Sequence, residues 1–489
     1  MLSTIEKAMN ERLARYYLST LPYTPTEDQH KLIGMLSDFV LSQIDRELFL
    51  LKGYAGTGKT TLVSTLINIL PKVRKQSVLL APTGRAAKVL SGYSGKAAFT
   101  IHKKIYRLYS RKDGSVKMSL NKNPHKNTIF FIDEASMIPD VNRSDNHFGQ
   151  HSLLDDLIAY IYSGPGCKAV LIGDTAQLPP VGLELSPALN EQFLKSSFDL
   201  DITSSELRQV VRQEQDSGIL LNATRLRNKL LDEDYNFPFF KTDKVSQVFR
   251  ITGNELEEAL MDAFNGRPGN EAVVITRSNK RANIFNQEIR RRILMREEEL
   301  ESGDAMMVVK NNYFWLPDES KAGFIANGDI IEIIRIRGFE EMYGFHFADV
   351  TVSMADYPDE KELDVKLLLD TISSESTSLT YDDNQTLFQN VMEDYKDIPQ
   401  RKKRMEQLKS NPYFNALQVK FAYALTCHKT QGGQWDQVFV EQGFFKEDML
   451  TKDYLRWLYT ALTRASEELY LINFNREFYE DDKPTFYYD

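Results

Sequence analysis

Residues 48–60 read LFLLKGYAGTGKT. An apolar strand runs into a glycine-rich turn, and Lys59-Thr60 then open a helix. The pattern from Gly53 to Thr60 is a P-loop. Its glycines let backbone N–H groups turn inward around phosphates, and the helix amino terminus adds a positive dipole. Lys59 is placed to reach the β- and γ-phosphates of a nucleoside triphosphate, and the Thr60 hydroxyl to bind Mg²⁺.

Working outward, three further apolar runs end in small or polar residues: VLLAPTGRAA from 78, TIFFIDEASM from 128 and KAVLIGDTAQLPP from 168. Strand, loop and helix alternate, as in a parallel α/β sheet, where ligands gather at the carboxyl ends of strands. Asp133 and Glu134 follow their strand some way after the P-loop. There Asp133 would hold Mg²⁺ through water, and Glu134 would orient and deprotonate an attacking water. In GDTAQLPPVG, Gln177 and the stiff Pro179-Pro180 suit a loop that senses the γ-phosphate.

A second α/β unit begins near Asn270 with EAVVITR from 271 and a helix through 279–294. It resumes at QVKFAYALT from 418, QVFVEQ from 437 and ELYLIN from 468. Between its halves, 328–354 alternates apolar and polar residues with glycines at the turns, as in a small antiparallel barrel. The expected domains are therefore 1–230, 231–325 with 416–489, and an insertion at 326–415.

Composition sets outer limits. The chain has 489 residues, 42% hydrophobic and 26% charged, which excludes disordered and fibrous classes. No apolar run approaches the ~18 residues of a membrane helix, and the first residues lack an apolar signal core, so a cytoplasmic location is expected. Cys167 and Cys427 are too few for a disulfide framework or a four-cysteine metal site. Net charge is −9, yet from Lys72 to Lys126 basic residues recur throughout and Asp113 is the only acid. A local field of this kind can bind a phosphate backbone while the whole molecule repels it; a solvated basic face is the other reading.

Further motifs stand in a fixed order: TPTEDQ at 24, TIH at 100, RQVVRQ at 208, TCHKTQGG at 426 and YTALTRA at 459. Together with the P-loop, APTGRAAKVL at 81, FIDEASM at 131 and GDTAQLPPVG, they resemble a superfamily 1 helicase. The nearest branch is the 5′→3′ one that holds RecD-like and Dda-like DNA helicases. The resemblance implies two RecA-like P-loop domains, with a small hairpin in the first and an SH3-like β insertion in the second. It implies ATP and Mg²⁺ between the units: Gln29 reads adenine, while Gly53, Ala55, Gly56, Thr57, Gly58, Lys59, Thr60, Thr61 and Gly432 line the nucleotide. Arg212 and Arg464 reach the γ-phosphate from outside the P-loop surface, as arginine fingers do.

The same resemblance runs single-stranded DNA over both units, with Pro82, Thr83, Thr100, His102, Thr426, His428 and Lys429 on its backbone. Hydroxyl, imidazole and ammonium donors suit phosphate oxygens and position without reading sequence. His102 as a helix-cap residue and Lys429 as a solvated charge are the plainer readings. The Asp113-Gly114 turn within 106–126 signals a hairpin, which is either the pin that splits duplex or a plain surface hairpin. Residues 374–413 resemble the added arm of Dda-type helicases. The implied activity is an ATP-driven 5′→3′ translocase and helicase acting on single strands and their junctions with duplex, a monomer by default. The alternative is an ATP- and DNA-binding subunit of a larger repair or nuclease complex.

Overall fold

The computed structural model describes residues 4–110, 116–139, 152–211, 217–243, 247–265, 271–316, 320, 324–355, 357 and 360–480. The first unit holds β1 (Glu47–Gly53), β2 (Gln76–Ala81), β3 (Ala98–Thr100), β4 (Tyr106–Ser110), β5 (Val116–Leu120), β6 (Thr128–Ile132), β7 (Lys168–Gly173) and β8 (Asp201–Leu207). The second begins with β9 (Val248–Ile251) and β10 (Ala272–Thr276). Five strands then leave it: β11 (Ala305–Val308), β12 (Ile330–Met342), β13 (Phe345–Met354), β14 (Leu363–Leu368) and β15 (Leu417–Phe421). It resumes with β16 (Ala424–Thr426), β17 (Trp435–Glu441) and β18 (Ala465–Ile472).

The first sheet runs β3-β2-β6-β7-β1-β8 and every neighbouring pair is parallel. Parallel sheets are covered on both faces, which is why these strands are near-continuous apolar runs. Successive residues then separate to opposite faces. Leu48, Leu50, Phe130, Ile132, Ala169 and Leu171 enter one core, while Phe49, Leu51, Ile129, Phe131, Val170 and Ile172 enter the other. The second sheet runs β16-β10-β17-β18-β9, again all parallel.

β11 to β15 close into a barrel in chain order. It takes in β11 and β15, which fall outside the expected 326–415 span at either end. β11 reads AMMV and carries no alternation to mark it as a barrel strand. QVKFAYALT looks like one strand, yet its first half closes the barrel and its second half joins the other sheet, with Ala422 and Tyr423 making the crossing. The helix Gly218–Leu231 also moves. It lies within the expected first domain, but Ile219, Ala223 and Leu226 are buried with Val248, Val440 and Leu458 of the second unit.

The expected hairpin is present as β4 paired antiparallel with β5, and its turn lies outside the described residues. The arm contains the helices Tyr381–Glu393 and Arg401–Ser410, whose Leu387, Val391 and Leu408 pack on Phe345 and Phe347 of the barrel. Both cysteines are free and buried. Among the described residues no helix is long and apolar enough to cross a membrane.

One buried carboxylate fastens the barrel to the second unit. Asp304 is fully buried and accepts hydrogen bonds from Arg290 Nε at 3.0 Å, Arg296 at 2.7 Å, the Tyr423 hydroxyl at 3.0 Å and the Glu301 amide at 2.8 Å. Removing one partner of a buried ion pair strands the other's charge. Asp304→Ala should therefore destabilise this junction by about 3–5 kcal/mol, read as an earlier urea transition, with the first unit's transition unmoved.

Candidate nucleotide site and nucleic-acid interface

The carboxyl ends of β1, β6 and β7 carry the candidate nucleotide site, as the parallel sheet requires. After β1 the chain turns through Tyr54–Gly58 and enters the helix Lys59–Ile69. Gly58 has φ +76°, and a Cβ there would lie 2.6 Å from Gln29 Nε2 and 2.9 Å from the Tyr23 hydroxyl. At Gly53 a Cβ would meet the Lys59 stem at 2.9 Å. The loop is thus a cradle closed to side chains, with Thr60 and Thr61 in the first turn of its helix. Lys59 Nζ donates to the carbonyls of Gly53 at 2.6 Å and Tyr54 at 2.8 Å.

Gln29 is buried beside this loop. Its Oε1 accepts from the Thr26 amide in a capping box, and its Nε2 donates to the Thr57 carbonyl at 2.9 Å. Thr57 is itself buried and bonds the Tyr54 carbonyl. Gly56 accepts from the Val211 amide at 2.9 Å, so the chain just before Arg212 lies against the cradle. Arg212 lies outside the described residues.

Asp133 and Glu134 leave β6 side by side, and the Glu134 amide donates to Asp133 Oδ1 at 2.9 Å. Glu134 has φ +51°, a left-handed conformation unusual for a side-chain-bearing residue. Burial raises the Asp133 carboxyl against the pull of the Glu134 amide and Lys59. Burial also pushes Glu134 up to about 7, opposed by Arg464 and reinforced by Asp133. A carboxyl poised there exchanges protons near neutrality, as a general base must. Gln177 is buried after β7, and its Oε1 finds no hydrogen-bond partner among the described residues. Unmet acceptor, glycine cradle and adjoining carboxylates fit a triphosphate with Mg²⁺ and a water to be oriented.

The second unit closes over this floor. Arg464 is buried, and its donors hold the carbonyls of Thr460 and Gly433 and the Thr463 hydroxyl, while its charge still acts on Glu134 and Asp174. Gly432, expected at the nucleotide, packs against the turn after β2. It has φ +74°, and a Cβ on it would touch Ala86 at 2.8 Å and Thr83 Oγ1 at 3.2 Å. Its bare backbone lets the two units meet there. Beside it, Arg85 stacks on Trp435 at 3.9 Å, pairs with Glu271 and donates to the Gln434 carbonyl at 3.0 Å.

The candidate backbone contacts gather at the carboxyl ends of β2, β3 and β16. Pro82 is half-buried. Thr83 and Thr100 cap the helices Gly84–Ser94 and Ile101–Ile105 with their hydroxyls, and Thr100 is buried. Burial lowers His102 to about 4, so its ring, next to Tyr106, is neutral near pH 7. Thr426 makes no cap bond and keeps its hydroxyl off the following turn, and His428 is exposed. Lys429 is lowered to about 8 by burial and by the neighbouring Lys420.

Two features escaped sequence reasoning. Arg85 within APTGRAA and Trp435 after TQGG form a clamp between units, and Tyr459 opens YTALTRA at the heart of the cleft. The helix that carries Tyr459, Lys452–Leu462, is buried from Tyr454 to Leu462, as a helix between two packed bodies must be.

Residues 39–234 match a family model described as an AAA domain, and residues 421–472 match the UvrD-like helicase C-terminal domain. The ATP-dependent DNA helicase dda of Enterobacteria phage T4 is 25% identical over 80% of this chain and 86% of its own length. The ATP-dependent RecD2 DNA helicase of Deinococcus radiodurans is 32% identical over 29% of this chain and 18% of its own. A solved Pif1 helicase from Bacteroides, in complex with ADP-AlF3 and ssDNA, aligns over 94% of this chain and 95% of its own, with 15% identity and a TM-score of 0.46.

The Glu134 carboxyl is charged, and able to take a proton, only above its raised pKa. The kcat/KM for ATP should therefore climb with pH and level off above about 7. Glu134→Gln should abolish turnover across the whole range while keeping nucleotide affinity. A flat profile from pH 5.5 to 8.5 would show that another group is the base.

Proposed function

We propose that this chain is a superfamily 1B helicase of the RecD/Dda type, an ATP-driven motor that moves 5′→3′ along single-stranded DNA and unwinds the duplex ahead. One observation carries the reading. The phosphate cradle, Glu134 and the unpartnered Gln177 of one parallel-sheet unit face Arg464 of another, and the same two units meet again along a strip of phosphate-type donors.

Lys59 and the backbone of Gly56–Thr61 bind the triphosphate, and Gln29 takes the adenine. Mg²⁺, held by Thr60 and Asp133, would neutralise charge between the β- and γ-phosphates. Gln177 orients the attacking water and Glu134 accepts its proton. Arg464 and Arg212 supply positive charge as the γ-phosphoryl group departs; such fingers are worth about 10³–10⁵ in rate. Thr83, His102, Thr426, His428 and Lys429 hold the DNA backbone, so opening and closing of the cleft alternates the grip of the two units. The hairpin β4–β5 stands as the wedge at the junction.

ATP turnover should rise at least about tenfold with saturating oligo-dT at low salt, where phosphate contacts are strongest, and Lys59→Ala should remove both rates. Strand separation should need a 5′ single-stranded tail; unwinding of 3′-tailed duplexes alone would reverse the polarity.

A further inference from the structure

The helix Lys452–Leu462 places the Tyr459 hydroxyl between two groups of the first unit. It accepts from the Ala55 amide of the phosphate cradle at 2.8 Å and donates to Asp174 Oδ2 at 2.6 Å. Asp174 Oδ1 meanwhile accepts from the Ala176 amide at 2.9 Å, fixing the turn that carries Gln177. One hydroxyl thus joins the cradle to the γ-phosphate loop, and it belongs to neither.

The rest of that loop is gripped in the same way. Thr460 Oγ1 accepts from the Leu178 amide at 2.8 Å, Gln431 Nε2 donates to the Leu178 carbonyl at 2.6 Å, and Arg456 donates to the Glu184 carbonyl at 2.6 Å. All three side chains come from the second unit. Gln431 also ends the segment Thr426–Gln431 that presents Thr426 and His428 to the candidate DNA path. Cys427 of this segment packs its thiol on the Trp457 carbonyl, two residues before Tyr459. That segment thus reaches the loop bearing Gln177 directly, through Gln431 on the Leu178 carbonyl.

We infer that Tyr459 is a positioning residue through which DNA bound at the Thr426–Lys429 segment sets the geometry of Gln177 and the cradle, so that its hydroxyl carries DNA stimulation of ATP hydrolysis. The inference rests on the proposed function and concerns coupling, not chemistry. Tyr459 touches backbone and Asp174, whereas the groups proposed to meet the reacting atoms are Lys59, Glu134 and Gln177. Asp174 is buried and Ala55 half-buried, so loss of the hydroxyl leaves a buried carboxylate oxygen and a cradle amide without their partner. Tyr459→Phe keeps the ring and removes only this bridge.

The test compares wild type, Tyr459→Phe and Thr460→Val for ATP turnover with and without oligo-dT, for oligo-dT affinity and for melting temperature. Tyr459→Phe should lose at least about fivefold of the stimulated kcat, while DNA-free turnover and oligo-dT affinity stay within about twofold. Thr460→Val should show the same pattern, and the double variant should lose less than the product of the two, because both act on one loop. Unchanged stimulation in Tyr459→Phe, or an equal loss with and without DNA, overturns the inference. Should Tyr459→Phe melt early, Thr460→Val decides by the same criteria. Absence of stimulation in the wild type overturns the proposed function instead, so the two failures are distinct.

Discussion

Three carboxyl groups, Asp133, Glu134 and Asp174, share the floor of the cleft with the single ammonium of Lys59. Burying so much negative charge is unfavourable unless opposite charge is brought close. The first unit supplies too little. Arg464 comes from the other side, lowers two of the three carboxyls and is buried in doing so. The floor of the cleft thus draws its compensating charge from both units. The contacts of Tyr459, Thr460 and Gln431 are the short-range part of the same arrangement, and they turn an attraction between bodies into a defined register.

Much of this was legible in the sequence because parallel sheets write their functional edge in a simple form. A short apolar run followed within two residues by glycine, acid or threonine marks a carboxyl end, and β1, β2, β6 and β7 all read so. Cradle, acidic pair and Gln177 fell where that pattern placed them. The barrel was partly legible. β12 and β13 alternate clearly, but β11 is four apolar residues, and the crossing at Ala422-Tyr423 leaves no punctuation between β15 and β16. Nothing local in a strand says which sheet it will join.

Gly432 shows a different limit. Gln431 beside it reaches the Leu178 carbonyl, Gly432 packs on Thr83 and Ala86, and the turn Cys427–Thr430 separates both from Thr426. A one-residue difference there changes which surface a group faces. Tyr459 was hidden for the opposite reason: its role lies in a hydrogen bond across more than four hundred positions of chain, which no spacing rule reaches.

The like-charged pair Lys420 and Lys429 has a thermodynamic consequence of its own. Burial brings both ammonium groups to about 8, helped at Lys429 by the charge of Lys420, so in mildly alkaline solution each spends part of its time without its proton. A phosphate arriving beside Lys429 would favour the charged form and draw a proton from solvent. On the proposed function, backbone capture beside Lys429 would then be linked to proton uptake, with hydrogen-ion concentration joining ionic strength as a variable that sets how tightly a strand is held.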